Sequence, residues 1–143
     1  MKQLELTDEG TLRLIDAIEK LQKSIMILSS DFLILKGNLM TEIYFGTNYV
    51  GCSVLDLIIN EDYHIQFSEA LQTMSLINYS GESIAIEHKI KRKTDNQELW
   101  VESTIRKNAM TSAEGTIFFE FTIVTRNIDS KKKSEIFQKL LEE

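Results

Sequence analysis

The sequence of 143 residues contains a single cysteine, no proline and no long apolar run. One thiol, Cys52, excludes an internal disulfide and is typical of a protein kept in a reducing compartment. No apolar stretch approaches the roughly 18 residues of a membrane-spanning helix. The first residues also lack the charged start and apolar run of a signal peptide. We therefore expect a cytoplasmic location and no insertion into a membrane.

Positive charge and catalytic motifs are also scarce. The net charge of −6 argues against nucleic acid as a partner, because proteins that bind it present a basic face. The sequence has no His-Glu-x-x-His or Cys-x-x-Cys metal spacing, no phosphate-binding glycine loop and no Gly-x-Ser-x-Gly turn. We predict no catalytic residue, no metal site and no enzymatic activity. A small enzyme that uses one pocket carboxylate is the alternative.

The best-defined pattern lies in the C-terminal third, where apolar and polar residues alternate as they do in half-buried strands. Three strands are predicted here, over 84–92, 99–106 and 116–124. Asp95 and Asn96 supply the first turn, since Asn tolerates a positive φ. Glu114-Gly115 supplies the second turn. The pattern predicts an antiparallel meander with one well-filled face.

The first half of the chain adds a hairpin and helices. Two short apolar runs flank the polar turn Ser29-Ser30-Asp31 and predict a hairpin over 25–35. Short helical pieces follow, and a longer helix begins near Asp62, whose side chain suits an N-cap. This order predicts one α+β domain in which a five-stranded antiparallel sheet carries helices on one face. We assign 1–22 to an N-terminal amphipathic helix, 23–129 to the domain and 130–143 to the start of an exit helix.

Two apolar surfaces in this arrangement need a cover. Leu14 and Ile18 lie on the apolar stripe of the N-terminal helix. Trp100, Phe118 and Val124 share the sheet face opposite the predicted core. We interpret these five residues as interface candidates. The N-terminal helix either packs on its own domain or pairs with the same helix of a second chain, and the sequence leaves both open.

The order of the elements and the residues themselves resemble the PAS sensor family over about 23–133. The matches follow the family's order: Asn38 at the end of the second strand, Phe45-Gly46, Val50-Gly51, Ile59-Asn60-Glu61-Asp62 with Asn in place of Pro, Glu87 to Arg92, Trp100-Val101-Glu102, Arg126-Asn127-Ile128-Asp129, and Lys131-Lys132-Lys133. Two positions depart from the family: Asn96 replaces a turn Gly, and Asn127 replaces the Asp that opens the output junction. We expect Asp129 to cap the exit helix instead, and we assign Asn127 and Asp129 to signal output.

The resemblance implies a pocket for a small organic ligand between the sheet and the helices. Strand alternation and the helix stripe give its candidate lining: Tyr44, Phe45, Phe67, Leu71, His88, Ile90, Val101, Ser103, Phe119 and Phe121. The same side chains would also make a filled core without a cavity. The sequence leaves both possibilities open.

The sequence does not name a cofactor. Flavin photoreceptors of this family carry their thiol in an Asn-Cys-Arg-Phe-Leu-Gln segment, which Gly51-Cys52-Ser53-Val54-Leu55 lacks, so we do not expect covalent flavin. Haem needs an axial ligand, and His88 is better placed for that role than His64. Because histidines on an apolar strand face are more often hydrogen-bonded wall residues, we do not expect haem either.

A regulatory role follows from the resemblance. We expect a homodimeric sensory or dimerisation module of a two-component or related signalling system. Its signal would pass through the exit helix to a fused effector domain of the histidine kinase or diguanylate cyclase type. A ligand-free PAS module that binds other proteins through the Trp100 face is the alternative.

Overall fold

A five-stranded sheet organises the chain, and its strand order brings the two ends of the domain together. The computed structural model describes residues 23–58, 60–76, 79 and 81–142, so the predicted N-terminal helix, with Leu14 and Ile18, lies outside the described residues. The strands are β1 (Lys23–Leu28), β2 (Ile34–Gly37), β3 (Ile84–Lys91), β4 (Glu98–Thr111) and β5 (Ile117–Asn127). The helices are α1 (Leu39–Phe45), a 3₁₀ turn (Val54–Leu57), α2 (Glu61–Met74) and α3 (Asp129–Glu142).

The sheet order is β2-β1-β5-β4-β3, and every neighbouring pair is antiparallel. This confirms the predicted α+β class, the five strands and the C-terminal meander. Asn96 adopts a φ of 59° in the β3–β4 turn, the left-handed conformation that Asn tolerates. The first strand therefore pairs with the last, which places the start of the domain beside its end.

The β4–β5 hairpin is longer than the alternation pattern predicts. β4 continues past Arg106 to Thr111, and the pairing runs from Val101 opposite Asn127 to Thr111 opposite Ile117. β3 pairs with β4 only as far as Ile105, and β1 pairs with β5 only as far as Phe121. The last part of the hairpin, which we call the β-arm (107–121), therefore projects beyond its neighbours. The alternation pattern did not predict this extension, because the polar residues Lys107 and Asn108 interrupt it.

The β1–β2 hairpin departs from the prediction at its turn. We predicted the second strand from Phe32, but β2 begins at Ile34 and Phe32 has a φ of 67°. The Ser29 hydroxyl accepts hydrogen bonds from the amides of Asp31 and Leu33, which favours a turn over two further strand residues. The Phe32 ring then packs on Phe121, with 5.7 Å between centroids.

The helices α1 and α2 cover one face of the sheet, which we call the inner face. Asn38 caps α1, and its Oδ1 accepts a hydrogen bond from the Thr41 amide. The predicted cap of α2 was wrong by two residues: Asn60 is the N-cap, and its Oδ1 accepts from the Asp62 amide at 2.9 Å. The apolar stripe of α2 is buried against the sheet through Phe67, Ala70, Leu71 and Met74. Burial of this stripe holds α2 in place.

The exit helix α3 follows β5 and contacts the opposite, outer face of the sheet near β3 and β4. None of its side chains is buried, and Ile136, Phe137, Leu140 and Leu141 are all exposed. Within the described residues, no helix is both long enough and apolar enough to cross a membrane. The inner face of the sheet forms the core of the molecule, whereas the apolar side chains of α3 lie exposed beyond its first turn.

Candidate functional site

The predicted pocket residues lie together beneath α1 and α2, with one exception. The buried ones are Tyr44, Phe45, Phe67, Leu71, His88, Ile90, Val101, Ser103 and Phe121. Phe119 is only half-buried because it lies on the β-arm, beyond the reach of the helices. The Lys107 ammonium covers its ring instead, 4.1 Å from the centroid. The placement of Phe119 therefore differs from the prediction, whereas strand alternation placed the other strand residues correctly.

The inner face holds a small cavity at the end of the sheet where α1, the 3₁₀ turn and β3 meet. Its volume is about 180 Å³, and it is lined by Tyr44, Phe45, Asp56, Leu57, Ile90, Lys91 and Lys93. Three of these residues were pocket candidates, and the other four were missed because they come from turns and strand ends. Drug-sized ligands occupy about 300–1,000 Å³, so this cavity suits a smaller molecule.

His88 lies in the middle of the inner face, and its ring has both a polar and an aromatic neighbour. Its Nε2 lies 2.8 Å from the Ser103 hydroxyl, and its ring packs edge-on against Phe67 with 4.9 Å between centroids. Burial lowers the pKa of His88 to about 4, so the ring is neutral near pH 7. Because Nε2 is already paired with Ser103 and the Phe67 ring lies against the imidazole, this arrangement gives no support to an axial haem ligand. The absence of haem stays a prediction.

A band of buried hydroxyl groups crosses the inner face beside His88. The Ser103 hydroxyl lies 2.7 Å from that of Thr125, and Thr125 pairs across the strands with Ser24. The Ser24 hydroxyl lies 2.9 Å from that of Thr41 in α1. Each of these groups is buried and satisfied, as buried polar groups must be.

Sequence reasoning found His88 and Ser103 but missed the rest of the band. Ser24 and Thr125 occupy inward positions by strand alternation, so an inventory of inward hydroxyls would have found them. The band connects β3, β4, β5 and β1 at one level of the sheet. Asn38, one of the residues that resemble the family pattern, binds the backbone at the end of this band. Asn38 Nδ2 donates to the Lys23 carbonyl, and its Oδ1 accepts from the Ile25 amide.

Cys52 lies in the loop between α1 and the 3₁₀ turn. Its thiol donates to the Asn48 carbonyl at 3.5 Å, and it is not among the residues that line the cavity. This position gives no support to a cysteine that attacks a bound flavin. The absence of covalent flavin stays a prediction.

Arg92 links the cavity to the end of the sheet. Its guanidinium forms hydrogen bonds with both oxygens of Asp95, and the bonds to Asp95 raise the pKa of Arg92. The nearby Asp129 carboxylate acts on the pKa of Arg92 in the same direction. Burial raises the pKa of the Tyr44 phenol, although Arg92 opposes the shift. One cation is therefore coupled electrostatically both to a cavity residue and to the first residue of α3.

The exit helix is tied to the sheet at the output junction, formed by Glu87, Trp100, Asn127, Asp129, Lys131 and Lys132. Asp129 Oδ1 accepts a hydrogen bond from the Trp100 amide at 3.1 Å, and Asn127 Oδ1 accepts from the Asp129 amide at 2.8 Å. The expectation that Asp129 caps α3 was wrong, because Asp129 is the first helical residue and Asn127 binds its amide. Asn127 therefore binds the first helical amide from two residues before it, and Asp129 binds β4.

Ion pairs complete the output junction on the outer face. Glu87 accepts contacts from Lys131 at 3.2 Å and Lys132 at 2.8 Å, and hydrogen bonds from these two lysines lower the pKa of Glu87. The Lys132 ammonium also lies 4.8 Å from the Trp100 ring centroid, while Lys89 lies 5.3 Å from it. Glu87 and Lys132 matched the family pattern, but their pairing could not be predicted without the position of α3.

The predicted apolar patch on the outer face is not continuous. Trp100, Phe118 and Val124 share that face, as alternation predicts, but polar side chains separate them. Arg126 and Glu102 form an ion pair at 3.0 Å between Trp100 and Val124, and Thr122 and Glu120 separate Val124 from Phe118. A groove of about 380 Å³ lies here instead, which we call the outer groove. Its lining consists of Lys23, Thr104, Arg106, Asn108, Thr122, Val124 and Arg126.

Comparison with known proteins gives structural relatives only. No protein-family model and no curated protein sequence matches the chain. The structure is similar to the PAS domain of an HTR-like protein from Haloarcula marismortui, with a TM-score of 0.52, 21% identity, and coverage of 85% of this chain and 100% of that one. It is also similar to the PAS domain of the Cronobacter turicensis RpfR quorum-sensing receptor in complex with BDSF, with a TM-score of 0.55, 16% identity, and coverage of 75% and 94%.

A third similar structure is a sensory box sensor histidine kinase from Vibrio cholerae. Its TM-score is 0.52 and its identity 18%, over 83% of this chain and 91% of that one. These proteins share the sheet and helices described above at an identity that is informative about fold alone. The strand order, the helices on the inner face and these similarities together establish that this chain has the PAS fold.

Proposed function

We propose that this chain is a sensory PAS module that binds a small organic ligand and transmits the signal through α3 to a fused effector domain. An effector of the histidine kinase or diguanylate cyclase type fits such a module. The observation that carries the proposal is the short path from the cavity to α3. Ile90 lines the cavity and pairs with Leu99 in β4, and the next residue, Trp100, donates its amide to Asp129 at the start of α3. No catalytic residue is proposed.

The cavity favours a small ligand with a negative charge. Tyr44, Phe45, Leu57 and Ile90 supply apolar surface, while Lys91 and Lys93 outnumber Asp56 at the polar side. The Cronobacter turicensis receptor has been solved with BDSF and with C12:0, which supports ligand binding by this fold. A cavity of about 180 Å³ calls for a shorter molecule here.

Transmission requires two arrangements of the output junction. A ligand shifts their balance only if it binds one of them more tightly. A ligand that moves Ile90 also moves its strand partner Leu99, which precedes Trp100 in β4. Since Asp129 accepts the Trp100 amide, the consequence is a change in how α3 is held against β4.

Native mass spectrometry of the full chain, followed by hydrogen exchange, tests this proposal. We expect a co-purified molecule or a soaked fragment, drawn from a set of short-chain monocarboxylates, to bind with a stoichiometry of one. Binding should change amide exchange in α3. A Leu57→Trp variant, which fills the cavity, should abolish both effects, and Leu141→Trp on the exposed end of α3 is the control. Binding without any change in α3 would contradict the transmission step.

A ligand-free PAS module that binds other proteins is the second candidate. The filled centre of the inner face favours it, because His88 packs against Phe67 and Phe32 packs against Phe121. The same experiment separates the two candidates: if no molecule co-purifies and no fragment alters α3, the interaction module is the better description. A visible absorption spectrum of the purified chain checks the expected absence of haem and flavin.

A further inference from the structure

The cavity at the end of the sheet combines buried apolar side chains with exposed charged ones. Its buried lining residues are Tyr44, Phe45 and Ile90. Asp56, Lys91 and Lys93 line it as well, but all three are exposed. The buried side chains therefore form the inner end of the cavity, and the charged ones form its mouth.

The charges at this mouth have opposite signs but do not neutralise one another. Asp56 belongs to the 3₁₀ turn, whereas Lys91 ends β3 and Lys93 follows it. Among the residues that the structure describes, none of these three side chains forms an ion pair. An occupant that carries both a carboxylate and an ammonium group would pair with both kinds of side chain at once, because complementary charges favour association.

Local hydrogen bonds hold the backbone that carries these charges. The Asp56 amide donates to the Ser53 carbonyl at 3.0 Å, and the Ser53 hydroxyl accepts from the Leu55 amide at 3.3 Å. At the end of β3, the Lys93 amide donates to the Tyr44 carbonyl at 3.2 Å. The charged side chains therefore extend from fixed backbone positions, so a ligand does not have to order the segments that carry them.

An α-amino acid with a short aliphatic side chain matches these features. Its ammonium and carboxylate groups are attached to the same carbon atom, so both can lie at the mouth while the side chain enters the apolar interior. The cavity volume of about 180 Å³ is smaller than that of sites for drug-sized ligands, which limits the side chain to a few carbon atoms. A monocarboxylate would pair with the lysines but would leave Asp56 without a partner.

We propose that the cavity binds a free α-amino acid with a short aliphatic side chain, its carboxylate at Lys91 and Lys93 and its ammonium group at Asp56. This inference rests on the proposed ligand-binding function and names the class of ligand. Asp56 is then the residue that distinguishes an amino acid from the corresponding carboxylic acid. The two lysines distinguish it from the corresponding amine.

Matched ligands test the assignment in NMR titrations of the full chain. The amino acids are glycine, alanine and valine. Acetate, propionate and isovalerate lack only their amino groups, and methylamine, ethylamine and isobutylamine lack only their carboxylates. We expect at least one amino acid to bind with a Kd about threefold or more below those of both its analogues, a modest factor because charge pairs exposed to solvent contribute little.

Variants of the mouth assign this preference to individual charges. Asp56→Asn should raise the Kd of the amino acid about threefold without weakening the matched acid, since it removes only the partner of the ammonium group. The double variant Lys91→Gln, Lys93→Gln should remove the preference over the matched amine. Asp31→Asn, the same change at an exposed residue of the β1–β2 turn, is the control and should change neither preference.

The outcomes separate this inference from the proposed function. If the acids bind as tightly as the amino acids, the ligand class is wrong, while the cavity remains a site for carboxylates. Amines that bind as tightly as the amino acids would overturn the assignment of the lysines. A preference for the amino acid that survives in Asp56→Asn would place its ammonium group elsewhere. If none of these probes binds, the inference and the proposed ligand binding both fail.

Discussion

The two faces of the β4–β5 hairpin differ in how completely their side chains are buried, although the same two strands form both. On the inner face, Phe121 and Ile105 surround a few hydroxyl groups, and each hydroxyl is buried with a partner. On the outer face, Arg106 and Arg126 border an open groove. The inner face is therefore fixed by packing and by satisfied polar groups. The outer face is held by polar contacts at the surface, such as the Arg126–Glu102 ion pair and the Asn108–Thr122 hydrogen bond, which leave its groove open to solvent.

The largest expected effect comes from two phenylalanines of the same strand. Phe121→Ala on the inner face should lower the free energy of unfolding by about 3–5 kcal/mol, because the ring is 1% exposed and its loss leaves a cavity. Phe118→Ala on the outer face should cost less than about 1 kcal/mol in the monomer. Urea denaturation of both variants measures the contrast, and equal losses would mean that the two faces are packed alike.

The pH dependence of stability should come next in size and should depend on His88. Its pKa is about 4 in the folded chain and about 6.5 when unfolded, so the unfolded chain binds the proton more readily. Stability contributed by the neutral ring is complete above pH 6.5 and is lost as the pH falls towards 4. We expect the wild type to lose on the order of 3 kcal/mol more than His88→Gln between pH 7 and 4. Parallel curves for the two proteins would contradict this assignment.

Removal of one hydroxyl from the inner band should have a smaller effect. Ser103→Ala leaves both His88 Nε2 and the Thr125 hydroxyl without their partner, which should cost about 1–3 kcal/mol. Thr104→Ala, the next residue on the outer face, is the matched control and should change stability by less than about 0.5 kcal/mol. Thermal or urea unfolding at pH 7 compares them. A neutral Ser103→Ala would show that the band does not stabilise the fold.

The smallest global effect is expected at the output junction. Glu87→Gln removes the charge that pairs with Lys131 and Lys132. Exposed ion pairs contribute little to overall stability, but amide exchange in the first turns of α3 should rise severalfold as the helix loosens. Glu135→Gln, whose partner Lys132 is 3.6 Å away within α3, is the control for a general loss of helix charge. Unchanged exchange in the Glu87 variant would mean that α3 is held by Trp100 and Asp129 alone.

Much of the fold followed from alternation and turn residues in the sequence. Strand alternation placed His88, Val101, Ser103 and Phe121 on one buried face without knowledge of the sheet order. The conformational tolerance of Asn placed Asn96 in the β3–β4 turn. The errors came where a side chain bonds locally to the backbone. Ser29 closed a turn where a strand was expected, Asn60 took the capping role assigned to Asp62, and Asn127 bound the amide of Asp129, which was expected to be the cap.

The candidate site was harder to predict because it depends on distances along several elements. Asp56, Lys91 and Lys93 line the cavity from turns and strand ends, where no periodicity indicates direction. The prediction of a continuous apolar patch on the outer face was wrong for another reason. Residues of one face can be far apart along a strand, and Trp100 and Phe118 lie at opposite ends of the sheet. The face on which a residue lies follows from local alternation. Its neighbours on that face depend on the register of all the strands.

Trp100 is the only tryptophan in the sequence, and its indole lies within about 5 Å of the ammonium groups of Lys89 and Lys132. A positive charge at that distance shifts the emission of an indole, and Lys132 belongs to the exit helix. The emission wavelength of Trp100 therefore depends on whether α3 is in contact with the sheet at Lys132. Intrinsic fluorescence follows this contact without any label.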